Sequence, residues 1–354
     1  MQCTVAVSGG SDSLYALLSL REAGCRVRAL HARFLPGTGS GAVAALARLC
    51  EALDIPFETV DLVDPFRRCV MEPFAQEHAA ARTPNPCALC NRAMKFGLLL
   101  DHAAREGGMY ATGHYAAMEE HPAYGPALRA ADYAPKDQSY FLALVPIERL
   151  RRCIFPLSGV SKPEARAWLM QRGFPVPLPA ESQEICFIPG DDHCAWLEER
   201  RRQGLSLPGP GPVVLAGEGR IIAEHGGLWR YTEGQRRGLG IPWRHPLYVL
   251  ARQRVSNTLV VAPKAMLRTE TCSAGGLNLM VPHALWPKEV FARVRYRHAP
   301  VPADVELDGR RMEVRFRVPQ EPPAPGQVAA IYDRDGFVLA GGILEDPQDA
   351  DHGS

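Results

Sequence analysis

The chain has 354 residues, a length that predicts two or three domains of roughly 100–200 residues each. Hydrophobic residues make up 46% of it, as expected for a soluble globular protein with a packed core. The 40 lysines and arginines against 39 aspartates and glutamates give a net charge of +1, which excludes a uniformly basic nucleic-acid binder but leaves room for a local basic face.

The first part of the chain alternates predicted strands and helices. Residues 3–7 (CTVAV) form an apolar run that breaks into the loop SGGSDS, and the helical pattern LYALLSLREAG follows. Further predicted elements, in chain order, are a strand at 26–32, a helix at 41–53, a strand at 57–62, a helix from Asn91 (its N-cap) to Arg105, and a strand with its exit loop at 108–114. This alternation predicts an α/β fold with a doubly wound parallel sheet that binds ligands at the carboxyl ends of its strands.

The pattern changes after about Leu157. A capped helix is predicted at 161–174, a proline-bounded loop at 175–189, and short strands and turns after 207–212. From Thr269 the chain alternates like a small β-barrel, with strands predicted at 290–298, 311–318, 327–333 and 338–344. We therefore expect an N-terminal domain (1–157), a small central domain (158–268), a C-terminal β-barrel (269–347) and a polar tail (348–354).

The cysteines raise the question of redox chemistry. The chain starts in a strand pattern without a basic and apolar leader, and no run approaches the ~20 apolar residues of a membrane span. We therefore expect a cytoplasmic protein with no membrane partner, in which most of the ten cysteines are reduced. Seven of them lie in apolar or helical surroundings or lack a neighbour at ligand spacing. Cys87, Cys90 and Cys186 need another explanation.

The loop after the first strand, AVSGGSDS (6–13), is a candidate phosphate site. Its glycines let backbone N–H groups approach a pyrophosphate, its serines add hydroxyl donors, and the next helix contributes its positive N-terminal end. Asp12 is suited to Mg²⁺ rather than to phosphate. SGGxDS resembles the PP-loop of the ATP pyrophosphatase superfamily, whose members adenylate an oxygen atom and release pyrophosphate. The resemblance implies that ATP is bound by Ala6, Val7, Ser8, Gly9, Gly10, Ser11, Asp12 and Ser13.

Seven further stretches resemble one family within that superfamily, the bacterial tRNA-specific 2-thiouridylases. They occur in the family's order across about residues 5–345: RTPNPCALCNRAMKFG (82–97), ATGHYA (111–116), KDQSYFL (136–142), SQEICFI (182–188), YTEGQRRGLGI (231–241), VRYRH (294–298) and PGQ (325–327). The resemblance implies a sulfurtransferase that performs ATP-dependent 2-thiolation of the wobble uridine of tRNA. ATP would adenylate the O2 atom, and sulfur from a donor protein or from sulfide would replace it.

The resemblance also implies roles for single residues. Cys90 would be the nucleophilic thiol and Cys186 the carrier of a persulfide; a second thiol is needed because a disulfide must form when the outer sulfur leaves. Ala32 and Gly113 would contact the nucleotide. The implied contacts with tRNA and its anticodon arm are Asn85, Pro86, Cys87, His114, Lys136, Asp137, Gln138, Arg295, Tyr296 and Gln327.

The sequence departs from the family at two places. The family has an aspartate at position 87, whereas this chain has Cys87, which shares one side of a helix entrance with Cys90. With Cys186, these thiols resemble the three-cysteine 4Fe–4S site of other tRNA thiolases, which is our preferred interpretation. The alternatives are persulfide chemistry without Cys87, a zinc site that lacks a fourth ligand, and inert thiols. The second departure is RFLPGTGSG (33–41), which replaces a longer family insert and leaves the contact implied for Ala32 open.

Two other functions are compatible with a PP-loop. One is an adenylating synthetase that forms an amide or C–N bond and has no use for Cys90 and Cys186. The other is a non-catalytic tRNA-binding paralogue, which would not convert ATP to AMP.

Overall fold

The computed structural model describes residues 1–37, 40–174 and 185–350. Within them, a parallel sheet, a mixed sheet and a closed barrel follow one another along the chain. The helices are α1 (Ser11–Glu22), α2 (Ser40–Ala52), α3 (Val63–Phe66), α4 (Glu72–Ala79), α5 (Pro86–Cys90), α6 (Leu100–Ala103), α7 (Ser139–Leu142), α8 (Ile147–Leu150), α9 (Lys162–Gln171), α10 (His193–Arg202) and α11 (Pro347–Ala350). Segments of π-helix join α3 to α4 (Arg67–Met71) and α5 to α6 (Asn91–Leu99). No helix in the described ranges is long and apolar enough to span a bilayer.

The N-terminal sheet has five parallel strands in the order β3-β2-β1-β4-β7. They are β1 (Gln2–Ala6), β2 (Arg26–Arg33), β3 (Phe57–Asp61), β4 (Met109–Ala111) and β7 (Cys153–Ile154); a hairpin of β5 (Ala116–His121) and β6 (Gly125–Ala130) lies between the last two in the chain. Adjacent residues of β2 face opposite cores, since Ala29 packs with Leu17 of α1 and Leu30 packs with Phe66 of α3. Both faces of the sheet are therefore covered, which confirms the doubly wound α/β fold.

The strand order locates the ligand edge of this sheet. The chain runs outward from β1 to β2 and β3 and then returns to the other side of β1 as β4. The gap between the carboxyl ends of β1 and β4 is thus the topological switch point, where open α/β sheets bind ligands. The glycine-rich loop follows β1 and Gly113 follows β4, so two of the predicted nucleotide-binding segments meet there.

The central region contains a four-stranded sheet in the order β10-β11-β8-β9. Its strands are β8 (Gly211–Leu215), β9 (Arg220–His225), β10 (Leu247–Gln253) and β11 (Thr258–Pro263). The helix α9 packs on the N-terminal domain instead: Ala165 and Leu169 share a buried cluster with Tyr15 and Leu18 of α1. We therefore propose that the N-terminal domain extends beyond the predicted boundary at residue 157, through α9.

The C-terminal region closes into a six-stranded antiparallel barrel, as predicted. Its strands are β12 (Thr269–Leu279), β13 (Val290–Arg293), β14 (Val301–Asp308), β15 (Arg311–Gln320), β16 (Val328–Tyr332) and β17 (Val338–Leu344). The strand predicted at 290–298 is too long, because β13 ends at Arg293. Arg295 and Tyr296 consequently lie in a loop, where their side chains do not alternate across a sheet.

The barrel docks firmly on the N-terminal domain. Phe96 of the helical run and Val328 of β16 belong to the same buried cluster. The side-chain amide of Asn278 donates hydrogen bonds to the carbonyl oxygens of Ala143 (2.9 Å) and Val145 (2.8 Å). Barrel residues therefore help to position the N-terminal domain near the predicted active site.

Candidate active site

The switch point brings the glycine-rich loop and the end of β4 into direct contact. A Cβ atom on Gly113 would lie 2.6 Å from the backbone carbon of Asp12 and 2.7 Å from the nitrogen of Ser13. Real Cβ contacts are not that short, so only glycine permits this approach. Gly9 has a φ of 82°, a left-handed conformation that turns the chain out of β1. The predicted ATP residues on the two segments are therefore neighbours.

The loop is tied together by its own serines. The Ser13 hydroxyl accepts a hydrogen bond from the Ser8 amide (3.1 Å) and donates one to the carbonyl of Gly10 (2.9 Å). The Val7 amide continues the sheet pattern by donating to Leu30 (2.9 Å), next to the end of β2 where Ala32 lies. Ser13 thus shapes the loop. The N-cap residue of α1, the helix that follows the loop, gives no side-chain hydrogen bond to the first amides of that helix.

Asp12 has a cationic partner that the sequence analysis missed. The ammonium group of Lys162 lies 2.6 Å from Asp12 Oδ1 and donates to the Ser11 hydroxyl at 3.0 Å. The Tyr115 hydroxyl donates to the same Asp12 oxygen at 3.2 Å. Mg²⁺ is commonly held by one or two carboxylates together with substrate phosphates. The Asp12 side chain is 31% exposed, so its carboxylate fits such an ion together with the phosphates of a bound nucleotide.

The cysteine-bearing helix begins at Pro86, not at Asn91. The side-chain oxygen of Asn85 accepts a hydrogen bond from the Ala88 amide (3.1 Å) and caps α5, while Pro86 occupies its first turn. The prediction that Asn91 is the N-cap is therefore wrong, because Asn91 lies inside the continuous helical run. Asn85 and Pro86, both buried, build the helix entrance, and the RNA contacts implied for them have no support in this geometry.

The three thiols of interest share one local environment. Cys90 is buried in the main core, whereas Cys87 and Cys186 are exposed. Burial raises the pKa of Cys90 to about 12; the Lys95 ammonium lowers it, and charge on Cys186 or Cys87 would raise it further. Although part of each residue is exposed, protein groups around the sulfur atoms of Cys87 and Cys186 also displace water and raise the pKa of both thiols. Charge on Cys87 would raise the pKa of Cys186 further, and Lys95 lowers both. The structure thus brings together the thiols predicted to act in sulfur transfer, with Lys95 as an additional member.

Cys186 is held in place by the residues that follow it. Phe187 and Ile188 are buried in the same core as Cys90. The Phe187 ring packs edge-on against Phe74, with centroids 5.3 Å apart, and against Trp196 at 5.4 Å. Residues 175–184 of the predicted loop lie outside the described residues.

The thiols do not form a ready metal site. Across residues 1–37, 40–174 and 185–350, no three Cys, His, Asp or Glu side chains are arranged to hold one metal ion. A 4Fe–4S cluster is bound by thiolates that converge on one point. The described residues therefore do not fit the preferred cluster interpretation in this conformation, and the cluster stays a prediction.

His114 joins the nucleotide loop to the cysteine helix. Its Nδ1 atom lies 2.7 Å from the Thr112 hydroxyl, and its Nε2 atom lies 3.2 Å from the side-chain oxygen of Asn91, the residue after Cys90. Burial keeps the pKa of His114 well below its ordinary value, so the ring is neutral. With both nitrogens engaged inside the protein, His114 is a structural link, and the predicted tRNA contact is not supported.

Asp137 is likewise internal. Its Oδ1 atom accepts hydrogen bonds from the backbone amides of Ala131 (3.2 Å) and Ser139 (3.0 Å), and its Oδ2 atom pairs with Arg293 of the barrel at 2.8 Å. Only 4% of Asp137 is exposed. The aspartate of the KDQ stretch therefore joins the barrel to the N-terminal domain, and the tRNA contact implied for it stays a prediction.

Two predicted RNA contacts of the barrel also face protein. Arg295 donates hydrogen bonds to the carbonyl oxygens of Glu233 (3.0 Å) and Pro322 (2.8 Å). Gln327 donates to the carbonyl of Thr83 at 2.8 Å. Both side chains therefore connect the barrel to other parts of the chain, and a direct contact with tRNA is not needed to explain them.

The remaining predicted contacts are more open. The side chain of Gln138 accepts a hydrogen bond from the Tyr115 amide (3.0 Å), whereas Lys136 and Tyr296 are partly exposed. Tyr296 packs on Phe141 with ring centroids 4.3 Å apart. Burial raises the pKa of Tyr296, the Arg293 guanidinium lowers it, and charge on Asp137 and Cys87 adds to the rise. Among the predicted RNA contacts, Cys87 is exposed, and Lys136, Gln138 and Tyr296 are partly exposed.

Comparisons with known proteins bear on these features. Three protein-family models match the chain: a tRNA methyl transferase HUP domain over residues 1–190, a tRNA methyl transferase PRC-barrel domain over 202–263, and an aminomethyltransferase beta-barrel domain over 269–344. The tRNA-specific 2-thiouridylase MnmA of Nitratidesulfovibrio vulgaris strain Hildenborough is 48% identical over 348 residues, which are 98% of this chain and 99% of that protein. This chain belongs to the tRNA-specific 2-thiouridylase family.

Other members of the family show similar coverage. The protein of the same name from Nitratidesulfovibrio vulgaris strain Miyazaki F is 50% identical and covers 98% of this chain and 100% of its own length. That of Persephonella marina is 36% identical, with 97% and 100% covered. A solved 4-thiouridine synthetase–RNA complex with bound ATP has 17% identity and a TM-score of 0.35 over 57% of this chain and 50% of its own, too slight a likeness to argue from.

Proposed function

We propose that this protein replaces the O2 atom of the wobble uridine of tRNA by sulfur at the expense of ATP. Membership of the 2-thiouridylase family supports the reaction, and the PP-loop at the switch point supports the use of ATP. The partners would be the anticodon arm of tRNA and a sulfur donor, either a protein or sulfide.

One continuous set of contacts carries the proposal. The backbone of Asp12 touches Gly113, the next residue is His114, His114 bonds to Asn91, and Asn91 follows Cys90. The loop suited to ATP and the helix that bears the thiol are therefore held by one short path through the protein. An enzyme that must activate an oxygen and then replace it with sulfur needs these two groups side by side.

The first step is adenylation. The uridine O2 attacks the α-phosphorus of ATP, and the proton on N3 passes to solvent water. Pyrophosphate leaves towards the amides of the loop and the Lys162 ammonium. These donors stabilise the charge that develops on the leaving pyrophosphate. A magnesium ion held through Asp12 would supply further positive charge. The AMP group on O2 makes C2 electrophilic and the oxygen a good leaving group.

The second step transfers sulfur. The outer sulfur of a persulfide on Cys186 attacks C2, and AMP departs with the former O2. The Cys90 thiolate then attacks the Cys186 sulfur, which breaks the S–S bond, leaves sulfur on C2 and forms a Cys90–Cys186 disulfide. An external thiol reductant restores both cysteines. For a three-cysteine cluster to carry the sulfur instead, Cys87, Cys90 and Cys186 would have to rearrange, and iron and sulfide analysis of anaerobically purified protein tests that alternative.

Sulfur incorporation into tRNA tests the function. Purified protein, ATP, Mg²⁺, a persulfide donor whose outer sulfur is labelled, a thiol reductant and a tRNA transcript with a wobble uridine should yield pyrophosphate and labelled 2-thiouridine. Cys90→Ser and Cys186→Ser should stop sulfur incorporation while pyrophosphate release continues. Cys69→Ser, a change at another exposed thiol, is the matched control and should leave both intact. AMP formation with no role for the thiols would favour the amide-forming synthetase, and tRNA binding without ATP turnover would favour the paralogue.

A further inference from the structure

The segment just before the cysteine helix is hydrogen-bonded to the barrel. The Thr83 amide donates to the carbonyl of Pro325 at 2.7 Å. In return, the Gln327 side chain donates to the carbonyl oxygens of Thr83 (2.8 Å) and Pro84 (3.2 Å). Gly326, at φ 91°, comes so close that a Cβ atom there would lie 3.0 Å from the Thr83 carbonyl. We call residues 83–85 the elbow.

Residues of the central domain form hydrogen bonds to the same elbow from another side. The Thr83 hydroxyl accepts a hydrogen bond from Arg252 Nη2 at 3.0 Å and lies 3.1 Å from the Thr232 hydroxyl. Arg252 is fully buried in a bidentate pair with Glu233 (2.9 and 2.7 Å) and also donates to the carbonyl of Tyr231 at 2.7 Å. A buried pair of this kind adds little net stability over apolar packing. The pair instead fixes the orientation of the Arg252 guanidinium, so that one of its N–H groups points at the Thr83 hydroxyl.

The elbow has little freedom of its own. Proline fixes φ at residues 84 and 86. Asn85 caps the helix, and Cys87 and Cys90 follow within it. A shift of the elbow therefore moves the helix entrance and both thiols together. Misplacing a reacting group by about 1 Å can cost about 100-fold in rate.

We propose that Gln327 and the Arg252–Glu233 pair are positioning residues for the thiols, so that the barrel and the central domain set the geometry of sulfur transfer through the elbow. The inference rests on the proposed function and deepens it. It gives the Gln327 amide a role on the elbow, whereas the RNA contact implied for this residue stays a separate prediction. None of the three side chains needs to touch tRNA or ATP.

Replacing Gln327 tests the proposal. Gln327→Leu removes the two donated hydrogen bonds at similar volume. Gln320→Leu is the control, because Gln320 is in the same barrel and its side chain, among the described residues, donates to the nearby carbonyls of Val318 and Pro319. With saturating tRNA, Gln327→Leu should lower kcat for thiolation by about 10- to 100-fold, while the Kd for tRNA stays within about twofold of wild type. A raised Kd with unchanged kcat would show an RNA contact and overturn the proposal, as would unchanged values of both.

A second variant and a second readout complete the test. Thr83→Val removes the hydroxyl that accepts the hydrogen bond from Arg252 and keeps the side-chain volume. It should lower kcat in the same way, so it provides the test if Gln327→Leu does not fold. The alkylation rate of Cys90 by iodoacetamide in the free protein, measured by peptide mass spectrometry, should change in both variants and not in Gln320→Leu. This rate needs neither ATP nor tRNA, so a protein that fails to thiolate RNA but shows the altered reactivity refutes the proposed function and not the positioning role. Equal alkylation rates in all proteins would refute the positioning role itself.

Discussion

The Lys162 ammonium lies 2.6 Å from the Asp12 carboxylate, although helix α9 follows α1 only after the whole parallel sheet has been completed. Only 8% of Lys162 is exposed. A buried ammonium beside a carboxylate at the amide end of α1 is suited to bind anionic phosphate while the carboxylate holds a cation. The pair therefore connects nucleotide binding to the packing of α9 on α1.

Removing either charge should stop adenylation. Asp12→Ala and Lys162→Met should each abolish pyrophosphate release, because the first removes the predicted magnesium ligand and the second the counter-charge to the leaving group. Binding of tRNA, measured by filter retention, should be preserved. Lys264→Met is the control, since Lys264 is exposed and, within the part of the chain that the structure describes, pairs with Glu321 at 3.5 Å. Undiminished AMP formation in Asp12→Ala would reject the PP-loop assignment.

The same pair predicts a stability effect. Asp12→Asn leaves the Lys162 ammonium buried without its carboxylate, which should lower the free energy of unfolding by about 1–3 kcal/mol. The double variant Asp12→Asn with Lys162→Met removes both charges and should recover most of that loss while staying inactive. Urea unfolding, monitored by circular dichroism, measures the free energy of unfolding of each variant. Additive losses in the double variant would show that the two side chains do not interact.

Cys87→Asp distinguishes the two sulfur-transfer chemistries. A carboxylate is a harder and poorer ligand than thiolate for iron–sulfur centres. If a cluster forms, the substitution should weaken cluster retention and activity; if Cys90 and Cys186 relay a persulfide, activity should be kept or raised and neither protein should be brown. Anaerobic purification with an absorbance spectrum and iron analysis decides between them. Full thiolation by an iron-free Cys87→Asp protein would refute the cluster.

Lys95 should govern the reactivity of Cys90. Burial raises the pKa of Cys90 to about 12, and the Lys95 ammonium opposes that rise. Lys95→Met should therefore raise this pKa further, reduce the thiolate fraction at any given pH below it, and move both alkylation and thiolation to higher pH. Arg92→Met, at an exposed position of the same helical run, is the control. An unchanged pH profile for alkylation of Cys90 in Lys95→Met would contradict this role.

Binding of tRNA should depend on local arginines. Arg236 and Arg237 are exposed, and neither forms an ion pair with another residue in the described part of the chain, whereas Arg295 is bonded to backbone carbonyls. The logarithm of the affinity should fall as the logarithm of salt concentration rises, and Arg236→Ala should reduce that slope by about one unit. Arg295→Ala should instead lower the melting temperature with little change in slope. A complex insensitive to salt would argue against phosphate contacts and for a synthetase.

Local patterns in the sequence predicted much of the fold. Alternating strand and helix patterns gave the doubly wound sheet, because a buried parallel strand must be apolar and a covering helix amphipathic. The alternation after Thr269 predicted the barrel for the same reason. Local reasoning failed at Asn91 and at the end of β13: both Asn85 and Asn91 are acceptable caps in isolation, and tertiary packing extends the helix through the second.

The sequence by itself determined which chemistry is present: a glycine loop between a strand and a helix, cysteines at the entrance of a helix, and motifs in the order of one family. Only the tertiary structure decided what each polar side chain does. His114, Asp137, Arg295 and Gln327 bond to protein groups far away in the chain, and Lys162 reaches Asp12 from another helix. Short-range patterns fix backbone conformation, but the partner of a buried polar group is chosen by how the domains pack, since each such group must find its hydrogen bonds wherever packing has placed them.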